Sequence, residues 1–207
     1  MNDTDLSQKY RPSTIDEVIL PEVLHRRLSR LIAQRGGLSL MFYGSPGCGK
    51  TTSALLINPE NTLMINCTSE NSINMVRELE KTCSSMTLDG SRRIVVLDEA
   101  DYLSKDAQAA LRGAVERLSK ANDFIMTANQ PERLSDAIRS RFLPICFDIS
   151  KNPELKSVMK KRLRKIADLE GGAELKDSDI DRIVKFTFPD MRRALKSLQL
   201  ELFDFVD

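Results

Sequence analysis

The segment at residues 44–51 constrains the fold of this chain more than any other. It matches the phosphate-loop pattern G-x-x-x-x-G-K-[ST] at every fixed position. A mostly apolar run at 38–43 precedes it and predicts a buried strand, and residues 52–57 can continue a helix that opens at its end. Strand, glycine-rich turn and helix start together form a cradle whose backbone N–H groups point at phosphate oxygens. Because both flanks fit, a glycine-rich turn that binds nothing is the weaker interpretation. The segment consists of Gly44, Ser45, Pro46, Gly47, Cys48, Gly49, Lys50 and Thr51.

The chemistry expected of this segment centres on its last two side chains. Lys50 would reach the β- and γ-phosphates of a nucleoside triphosphate, and Thr51 would place its hydroxyl on Mg²⁺. An acidic pair, Asp98 and Glu99, follows the aliphatic run 94–97. In an open α/β sheet ligands bind at the carboxyl ends of strands, so Asp98 is placed to hold the metal, directly or through water. Glu99 can then orient or deprotonate the attacking water; the structural alternative is a solvated carboxylate in a turn.

The bulk composition excludes several classes of protein. The 207 residues suffice for one α/β domain and a smaller appendage. No run approaches the roughly 18 apolar residues of a membrane span, and the polar N-terminus does not resemble a secretory signal. The four cysteines show no metal-ligand spacing, which predicts reduced thiols and a cytoplasmic location. A net charge of +1 argues against an all-over basic surface but leaves room for a local basic face.

Apolar runs alternate with helical patterns through the first 150 residues. This alternation predicts an α/β fold, a parallel five-stranded sheet with helices on both faces. After residue 150 only helical patterns follow, which predicts a small all-helical lid domain at 151–207 beside a nucleotide-binding domain at 1–150. The predicted strands lie near 38–43, 62–66, 93–98, 123–127 and 144–148. The predicted helices lie near 21–34, 50–57, 72–83, 105–118 and 134–140, and in the lid near 153–168, 178–186 and 190–203.

Four motifs occur along the chain in a fixed order. They are the phosphate loop, Asp98-Glu99-Ala100-Asp101, Thr127-Ala128-Asn129 and Ser140-Arg141-Phe142. This set resembles the AAA+ ATPases, and most of all the sliding-clamp loaders: the replication factor C small subunits and, nearer still, the large clamp-loader subunit of T-even-type phages. Residues 8–17 and 186–193 are especially similar to that phage subunit. The resemblance implies a Mg²⁺-dependent ATPase subunit that uses ATP binding and hydrolysis to open a sliding clamp and load it on primer–template DNA, in the host cytoplasm if a phage encodes it.

The resemblance also implies roles for individual residues around the nucleotide. Asn129 would detect the γ-phosphate, as would Arg192 from the lid. Arg141 would act in trans, as an arginine finger on ATP held by a neighbouring subunit, and such groups are worth about 10³–10⁵ in rate. Phe142 replaces the family's usual cysteine beside it, and Arg139 is a rival for the same role. Outside the phosphate loop, the residues implied in ATP binding are Gln8, Lys9, Tyr10, Arg11, Val18, Ile19, Thr52 and Arg192.

The family's partners are other loader subunits in a homo- or hetero-oligomeric ring, a sliding clamp and primer–template DNA. Ser72, Asn74 and Arg77 lie where the family contacts DNA, through hydrogen-bond donors and basic side chains that meet the phosphate backbone. Phage relatives carry a basic residue about where Ser72 stands, so a weaker contact is expected there, and a solvated helix position is an equal alternative for Arg77. Gln108 and Arg112 lie four apart on one helix face. Their stretch resembles the family's relay from DNA to the adjacent subunit, with an ordinary amphipathic helix as the alternative.

Three other functions compete with the clamp loader. Another AAA+ DNA motor, such as a helicase loader or branch-migration ATPase, shares the loop and sensors, but residues 9–12 and the Ser140-Arg141 pair favour the loader. An ATP-binding scaffold without turnover is disfavoured by Glu99. A small-molecule kinase is disfavoured because no acceptor site is evident. The family's third, all-helical collar domain has no counterpart in the 207 residues. Either the sequence is part of a longer chain, or another chain supplies the collar, or the protein works without one. If the collar is missing outright, weak ring assembly and low ATPase activity of the isolated chain are expected.

Overall fold

A computed structural model describes residues 5–33, 37–69, 72–84 and 90–203. Within them, five strands form one sheet in the order β2-β3-β4-β1-β5, and every neighbouring pair is parallel. The predicted parallel five-stranded sheet is thereby confirmed. The strands are β1 (Ser39–Tyr43), β2 (Thr62–Asn66), β3 (Arg93–Asp98), β4 (Asn122–Ala128) and β5 (Leu143–Cys146).

Helices precede, connect and follow these strands. In the described part of the chain none is long and apolar enough to cross a membrane. Position 34 of the first predicted helix, position 71 beside the predicted DNA contacts and positions 204–207 of the predicted lid lie outside the described residues. The α-helices are α1 (Leu6–Lys9), α2 (Glu22–Ala33), α3 (Lys50–Leu56), α4 (Ile73–Cys83), α5 (Lys105–Leu118), α6 (Asp136–Arg139), α7 (Leu155–Leu169), α8 (Asp177–Thr187) and α9 (Met191–Phe203). Short 3₁₀ turns lie at Ile15–Glu17, Pro59–Asn61, Ala100–Tyr102 and Pro131–Arg133.

Strand β3 shows how the sheet is buried on both faces. Successive side chains of a strand point to opposite faces. Ile94 and Val96 accordingly pack into the apolar cluster that contains residues of α2 and α3, whereas Val95 and Leu97 pack into the cluster that contains residues of α4, α5 and α6. All four side chains are buried. The continuous aliphatic run in the sequence is therefore a strand between two helical layers, which is typical of parallel sheets.

Helices α7, α8 and α9 form a third apolar cluster. Leu163, Ile180 and Leu198, one from each helix, are fully buried in it. Leu6 of α1 is buried in the same cluster, and Tyr10 packs against it. The predicted helical lid is thus present, and the N-terminal segment packs on it. The division of the chain into two domains at residue 150 stays a prediction.

Two local features differ from the sequence-based expectation. Helix α1 was not predicted, because four residues are too few to show a helical period. Helix α7 begins at Leu155 rather than at 153. The N–H groups of Leu155 and Lys156 bond back three residues, to the carbonyl oxygens of Asn152 and Pro153, so a tighter turn precedes the α-helix.

Candidate functional site

Three chain segments meet at one edge of the sheet because their strands are parallel. The phosphate loop follows β1, Asp98 ends β3 with Glu99 directly after it, and Asn129 follows β4. Strand β4 lies between β1 and β3, so the three segments emerge side by side at the carboxyl ends of the strands. The strand order therefore brings together the residues that the sequence predicted for phosphate and metal binding.

The phosphate loop needs glycine at three of its positions. Gly44, Gly47 and Gly49 have φ angles of 144°, 71° and 91°, which side-chain-bearing residues rarely adopt. A Cβ atom on Gly44 would lie 2.8 Å from the backbone nitrogen of Asp148, and one on Gly49 would lie 2.8 Å from Cγ1 of Val18. The loop thus depends on glycine both for its backbone conformation and for its close packing between β5 and the N-terminal segment.

Lys50 joins the loop to the end of β4. The residue is 7% exposed, and its Nζ donates hydrogen bonds of 2.8 Å to the carbonyl oxygens of Gly44 and Ser45 and to Oδ1 of Asn129. Burial lowers the pKa of the Lys50 ammonium, while the nearby carboxylates act in the opposite direction. Two residues predicted for phosphate contacts, Lys50 and Asn129, are therefore in direct contact.

One carboxylate oxygen of Asp98 accepts hydrogen bonds from two hydroxyl groups. Thr51 Oγ1 donates to Asp98 Oδ1 over 2.6 Å, and Thr127 Oγ1 donates to the same atom over 2.7 Å. Thr127 Oγ1 in turn accepts a hydrogen bond of 2.9 Å from the backbone N–H of Glu99. Thr127 was not predicted to have a role, yet it links the two predicted acidic residues. A threonine directly after the apolar run 124–126, near the carboxyl end of β4, was the available signal.

Glu99 has a strained backbone. Its φ of 55° and ψ of 45° lie in the left-handed region, and among the described residues it is the one non-glycine residue with positive φ. This conformation costs a non-glycine residue about 1–2 kcal/mol. Such strain clusters at functional sites, where the surrounding contacts maintain it. Here it turns the chain sharply out of β3 and places Glu99 in the lining of the cleft.

Asp101 fixes the loop that carries Asn129. The Asp101 side chain is buried, and its Oδ2 accepts hydrogen bonds from the backbone N–H groups of Asn129 (3.3 Å) and Gln130 (3.0 Å). Its Oδ1 has no hydrogen-bond partner among the described residues. Gln108 of α5 is also buried and bonds to the carbonyl oxygen of Leu103 and the N–H of Ser135. Gln108 is thus a fully engaged interior residue rather than one on an exposed amphipathic face.

A cleft runs from the phosphate loop to the N-terminal segment and the lid. Lys9, Gly44 and Ser45 do not line it, although they were assigned to ATP binding. Lys9 instead pairs through Nζ with Glu170 at the end of α7, over 2.8 Å. The predicted residues that do line the cleft are Gln8, Tyr10, Arg11, Val18, Ile19, Pro46, Gly47, Cys48, Gly49, Lys50, Thr51, Thr52, Glu99, Asn129 and Arg192.

Several lining residues were missed by the sequence analysis. Arg162 of α7 is the most informative of them, because Nη1 donates to the carbonyl oxygen of Glu17 (3.0 Å) and Nη2 to that of Tyr10 (3.2 Å). This arginine ties the lid to the N-terminal segment beside the cleft, and nothing in its local sequence marks it. Pro12, which belongs to the 9–12 segment singled out in the sequence, lines the cleft as well. The other missed lining residues are Ser7, Glu17, Thr127, Ile149, Met159, Phe188, Pro189, Met191 and Leu195.

The start of α9 touches the phosphate loop directly. The backbone N–H of Met191 donates to the carbonyl oxygen of Gly47 over 3.3 Å. Asp190 Oδ1 accepts from the N–H of Arg193 over 2.9 Å and so caps the helix. Arg192 is exposed and lines the cleft at this contact. The lid residue predicted to sense the γ-phosphate therefore lies beside the phosphate loop.

Arg141 lies away from the cleft of its own chain. Its guanidinium pairs with Glu116 of α5 and also donates through Nη1 to the carbonyl oxygen of Ala137 over 2.6 Å. The hydrogen bond and positive charge of Arg141 hold the pKa of Glu116 below its ordinary value. The rival Arg139 pairs with Asp136 in the preceding turn. Neither arginine lines the cleft around the phosphate loop of this chain.

The three predicted DNA contacts lie at the beginning of α4. Ser72 precedes the first helical residue and makes no side-chain cap. Asn74 Oδ1 accepts a hydrogen bond of 3.3 Å from Arg77 Nη1. All three side chains are exposed, and two of them already bond to each other. The predicted contact of these three residues with DNA stays a prediction.

The donor set around Asp98 suits magnesium, which prefers hard oxygen ligands such as hydroxyl and carboxylate. Thr51 and Asp98 provide these two groups side by side. A loop that requires three glycines, with a lysine and a helix start behind it, suits the phosphates of ATP. The residues present therefore fit both groups.

This combination of parallel sheet, phosphate loop after β1 and acidic pair after β3 defines a P-loop nucleotide-binding protein of the α/β class. The family profile of the AAA proteins, the ATPase family associated with various cellular activities, matches residues 40–147. The chain belongs to this family, which implies nucleotide binding.

Curated relatives with similar sequences carry one recurring name. The chain is 39% identical to replication factor C small subunit 1 of Pyrobaculum arsenaticum, and the match covers 93% of this chain and 60% of the relative. It is 36% identical to the replication factor C small subunit of Natronomonas pharaonis, again over 93% of this chain and 60% of the relative. The chain thus spans about three fifths of the length of the relatives it matches.

Solved structures with the same fold include the RuvB Holliday junction branch migration motor of Thermotoga maritima. That structure has a TM-score of 0.68 at 19% identity, covering 95% of this chain and 72% of RuvB. A point variant of the same protein reaches a TM-score of 0.70 over 95% of this chain and 73% of its own. At this identity the likeness establishes the fold alone.

Proposed function

We propose that the chain binds and hydrolyses ATP with Mg²⁺ as a subunit of a sliding-clamp loader. The observation that carries the enzymatic part is the meeting of Lys50 with Asn129, and of Thr51 with Asp98, at one edge of the sheet. Glu99 lines the same cleft and is the base that a scaffold without turnover would not need. The similarity to replication factor C small subunits supports the loader part.

The chain's residues divide the work among themselves. Loop N–H groups and Lys50 would bind the phosphates, and Thr51 with Asp98 would hold Mg²⁺. The metal would supply charge neutralisation on the phosphate oxygens. Glu99 would orient and deprotonate the attacking water, since it follows the metal-binding residue directly. Asn129 would contact the γ-phosphate from the loop that Asp101 fixes.

Two arginines would complete the catalytic set. Arg192 at the start of α9 would bring the lid onto the γ-phosphate, so lid position would report which nucleotide is bound. Arg141 would act on ATP in a neighbouring subunit, because it lies away from the cleft of its own chain and would offset charge on the transferring phosphoryl group.

The finer assignments belong to the same proposal. Residues 1–150 would form the nucleotide-binding domain and 151–207 the lid. The partners would be further loader subunits, a sliding clamp and primer–template DNA, with Ser72, Asn74 and Arg77 facing the DNA backbone. The similarity of residues 8–17 and 186–193 to the large clamp-loader subunit of T-even-type phages supports a loader of that type.

Steady-state ATPase assays test this proposal. Turnover should rise strongly when primer–template DNA and a sliding clamp from the same source are added together, and less with either alone. Blunt duplex DNA of the same length is the control for non-specific charge effects. Stimulation by blunt duplex without any effect of the clamp would favour another AAA+ DNA motor. ATP binding without turnover under every condition would favour a scaffold.

Mixing two inactive variants tests the trans arginine. A Glu99→Gln chain keeps its Arg141, and an Arg141→Ala chain keeps its Glu99. An interface between them pairs an intact base with an intact arginine, so mixtures should regain part of the wild-type turnover. Absence of rescue in mixtures that assemble would remove Arg141 from the reaction.

A further inference from the structure

The Arg141 guanidinium donates hydrogen bonds to two helices of its own subunit. Nε donates to Glu116 Oε1 over 2.7 Å, Nη2 donates to the same oxygen, and Nη1 donates to the carbonyl oxygen of Ala137 over 2.6 Å. Glu116 belongs to α5 and Ala137 to α6. The Arg141 side chain nevertheless stays 28% exposed. The guanidinium is therefore held in one orientation while part of it remains accessible.

The number of N–H groups on the guanidinium determines which further contacts Arg141 can make. A guanidinium carries five N–H groups. Glu116 and Ala137 use one on Nε, one on Nη2 and one on Nη1 of Arg141. One N–H remains on each of the two Nη nitrogens, and each can donate to a phosphate oxygen. Glu116 thus orients the guanidinium through Nε and Nη2 and leaves donors on both Nη nitrogens.

The charges around Arg141 show that Glu116 does not neutralise this part of the protein surface. Arg112 lies one turn before Glu116 on the same face of α5, close enough for its charge to act on the same carboxylate. Arg117, which pairs with Glu80, acts on this carboxylate as well. Arg141 and Arg112 therefore share Glu116, so this one carboxylate does not neutralise the positive charge around the Arg141 guanidinium.

We propose that Glu116 is a positioning residue for Arg141, and that it fixes the free donors of the guanidinium for a triphosphate held by a neighbouring copy or subunit. The inference rests on the proposed function, because it requires Arg141 to act in trans. Arginine side chains have large rotamer freedom, and orientation at the reacting group is worth large factors in rate. Loss of the hydrogen bonds between Arg141 and Glu116 should therefore lower turnover without weakening the binding of ATP by the neighbouring subunit.

The isolated chain already allows one test. Nitrogen-15 relaxation of the Arg141 Nε–H group should show a rigid side chain in the native protein and a mobile one in Glu116→Ala. The matched control is Glu201→Ala, because Glu201 of α9 pairs with Arg182 of α8 and belongs to neither of the helices that hold Arg141. It should leave Arg141 rigid. An Arg141 side chain that stays equally rigid in Glu116→Ala overturns the proposal.

Kinetics of the assembled protein provide the second test. Glu116→Ala should lower kcat about tenfold with little change in KM, as expected when orientation in the transition state is lost. Glu116→Gln keeps an acceptor oxygen and should retain most of the rate, and Glu201→Ala should retain all of it. In an Arg141→Ala background, Glu116→Ala should have no further effect, since the two residues act as one unit. Mixing Glu116→Ala with Glu99→Gln chains should restore turnover.

The outcomes separate this inference from the proposed function. If Arg141→Ala alone keeps full turnover, the trans arginine itself is wrong. If Arg141→Ala is inactive while Glu116→Ala is as active as wild type, or more active, only the positioning role of Glu116 is wrong. An additional loss in the double variant would likewise contradict it, because it would show that Glu116 acts independently of Arg141.

Discussion

Thr51 Oγ1 lies 2.6 Å from Asp98 Oδ1, so the first turn of α3 and the last residue of β3 are joined across the edge of the sheet. These are the two residues proposed to hold Mg²⁺. Hydroxyl and carboxylate oxygens are ligands that this ion accepts. Asp98 is fixed by β3, which is bonded on both sides, to β2 and to β4, and Thr51 is brought to it by the first turn of α3. The proposed metal site therefore rests on a strand and a helix.

Lys50→Ala should abolish measurable ATP binding and raise Kd by at least about 100-fold. The ammonium makes several charge-assisted hydrogen bonds, each worth about 1.5–3 kcal/mol, and phosphate oxygens would take over as their acceptors. Calorimetric titration with ATP measures the effect. Lys161→Ala is the matched control, because Lys161 is exposed on α7 and does not line the cleft. Unchanged affinity in Lys50→Ala would refute the phosphate-loop assignment.

Glu99→Gln should keep ATP affinity and lose at least about 100-fold in turnover, the usual contribution of a general base. The amide retains the shape of the side chain but cannot take a proton from water. Single-turnover hydrolysis and equilibrium binding, measured on the same preparation, separate the two quantities. Glu132→Gln provides the control, since Glu132 is an exposed carboxylate after β4 at the same edge of the sheet. Retained hydrolysis would remove Glu99 from the mechanism.

We expect the strained backbone of Glu99 to lower the free energy of unfolding of the protein. The free energy of unfolding of Glu99→Gly should be about 1 kcal/mol higher than that of Glu99→Ala, so the glycine variant is the more stable of the two. Glycine adopts a φ of 55° without the clash of a Cβ atom. Both variants lack the carboxylate, so the comparison isolates the backbone. Urea denaturation of the two proteins measures the difference. Equal stabilities would show that the turn after β3 holds no strain.

The sheet and the phosphate site could be predicted because their signals are local. The phosphate loop occupies eight consecutive residues, and the aliphatic run before Asp98 identifies a strand buried on both faces. In a parallel sheet the carboxyl ends of strands meet at one edge, so placing Asp98 beside Thr51 needed only the strand assignments. The same reasoning placed Asn129, at the end of the next strand along the chain.

Contacts between distant segments could not be predicted. Arg162 reaches Tyr10 and Glu17 across 152 and 145 residues of chain, and its local sequence is that of an ordinary basic helix. Lys9 was assigned to the nucleotide by resemblance, but its side chain pairs with Glu170. Such contacts depend on how the lid packs, and periodicity alone does not define packing partners. The burial of Gln108 depends instead on the segment after β4, where its side chain bonds to Arg133 and Ser135.

Two glycines with similar backbones separate steric from conformational effects. Gly47 (φ 71°) and Gly171 (φ 81°) are both in the left-handed region. A Cβ on Gly47 would lie 1.8 Å from Asp190 Oδ1 and 3.0 Å from its Cα, whereas one on Gly171 would meet no atom of the described residues within 4 Å. Gly171→Ala should therefore cost about 1 kcal/mol of stability and leave ATP binding intact.

Gly47→Ala adds a clash between the phosphate loop and the start of α9. We expect a larger loss of stability than in Gly171→Ala, together with at least about tenfold weaker ATP binding, because the loop and the lid residue Arg192 are displaced together. Urea denaturation and calorimetric titration of both variants provide the comparison. If the two substitutions have equal effects on binding, the contact between Gly47 and Asp190 does not shape the site.

The tie between the N-terminal segment and the lid should respond to acid. The hydrogen bonds that Lys9 and Tyr10 donate to Glu170 hold the pKa of that carboxyl below its ordinary value of 4.5. A group with a lowered pKa in the folded state binds fewer protons than in the unfolded state. Its stabilising contribution is thus present above pH 4.5 and is lost as the pH falls through the lowered value.

Hydrogen exchange of residues 5–12 measures this tie. Protection of the segment, relative to strand β4 as an internal reference, should fall between about pH 5 and about pH 3 in the native chain. Glu170→Gln removes one ionisable group, so the segment should be less protected at the higher pH and show a smaller fall; the remainder comes from Asp5, whose hydrogen bonds with Ser7 at the start of α1 lower its pKa. Glu174→Gln, which neutralises an exposed carboxylate four residues further on, should behave as wild type. A fall of the same size in Glu170→Gln would mean that another group, and not Glu170, holds the segment against the lid.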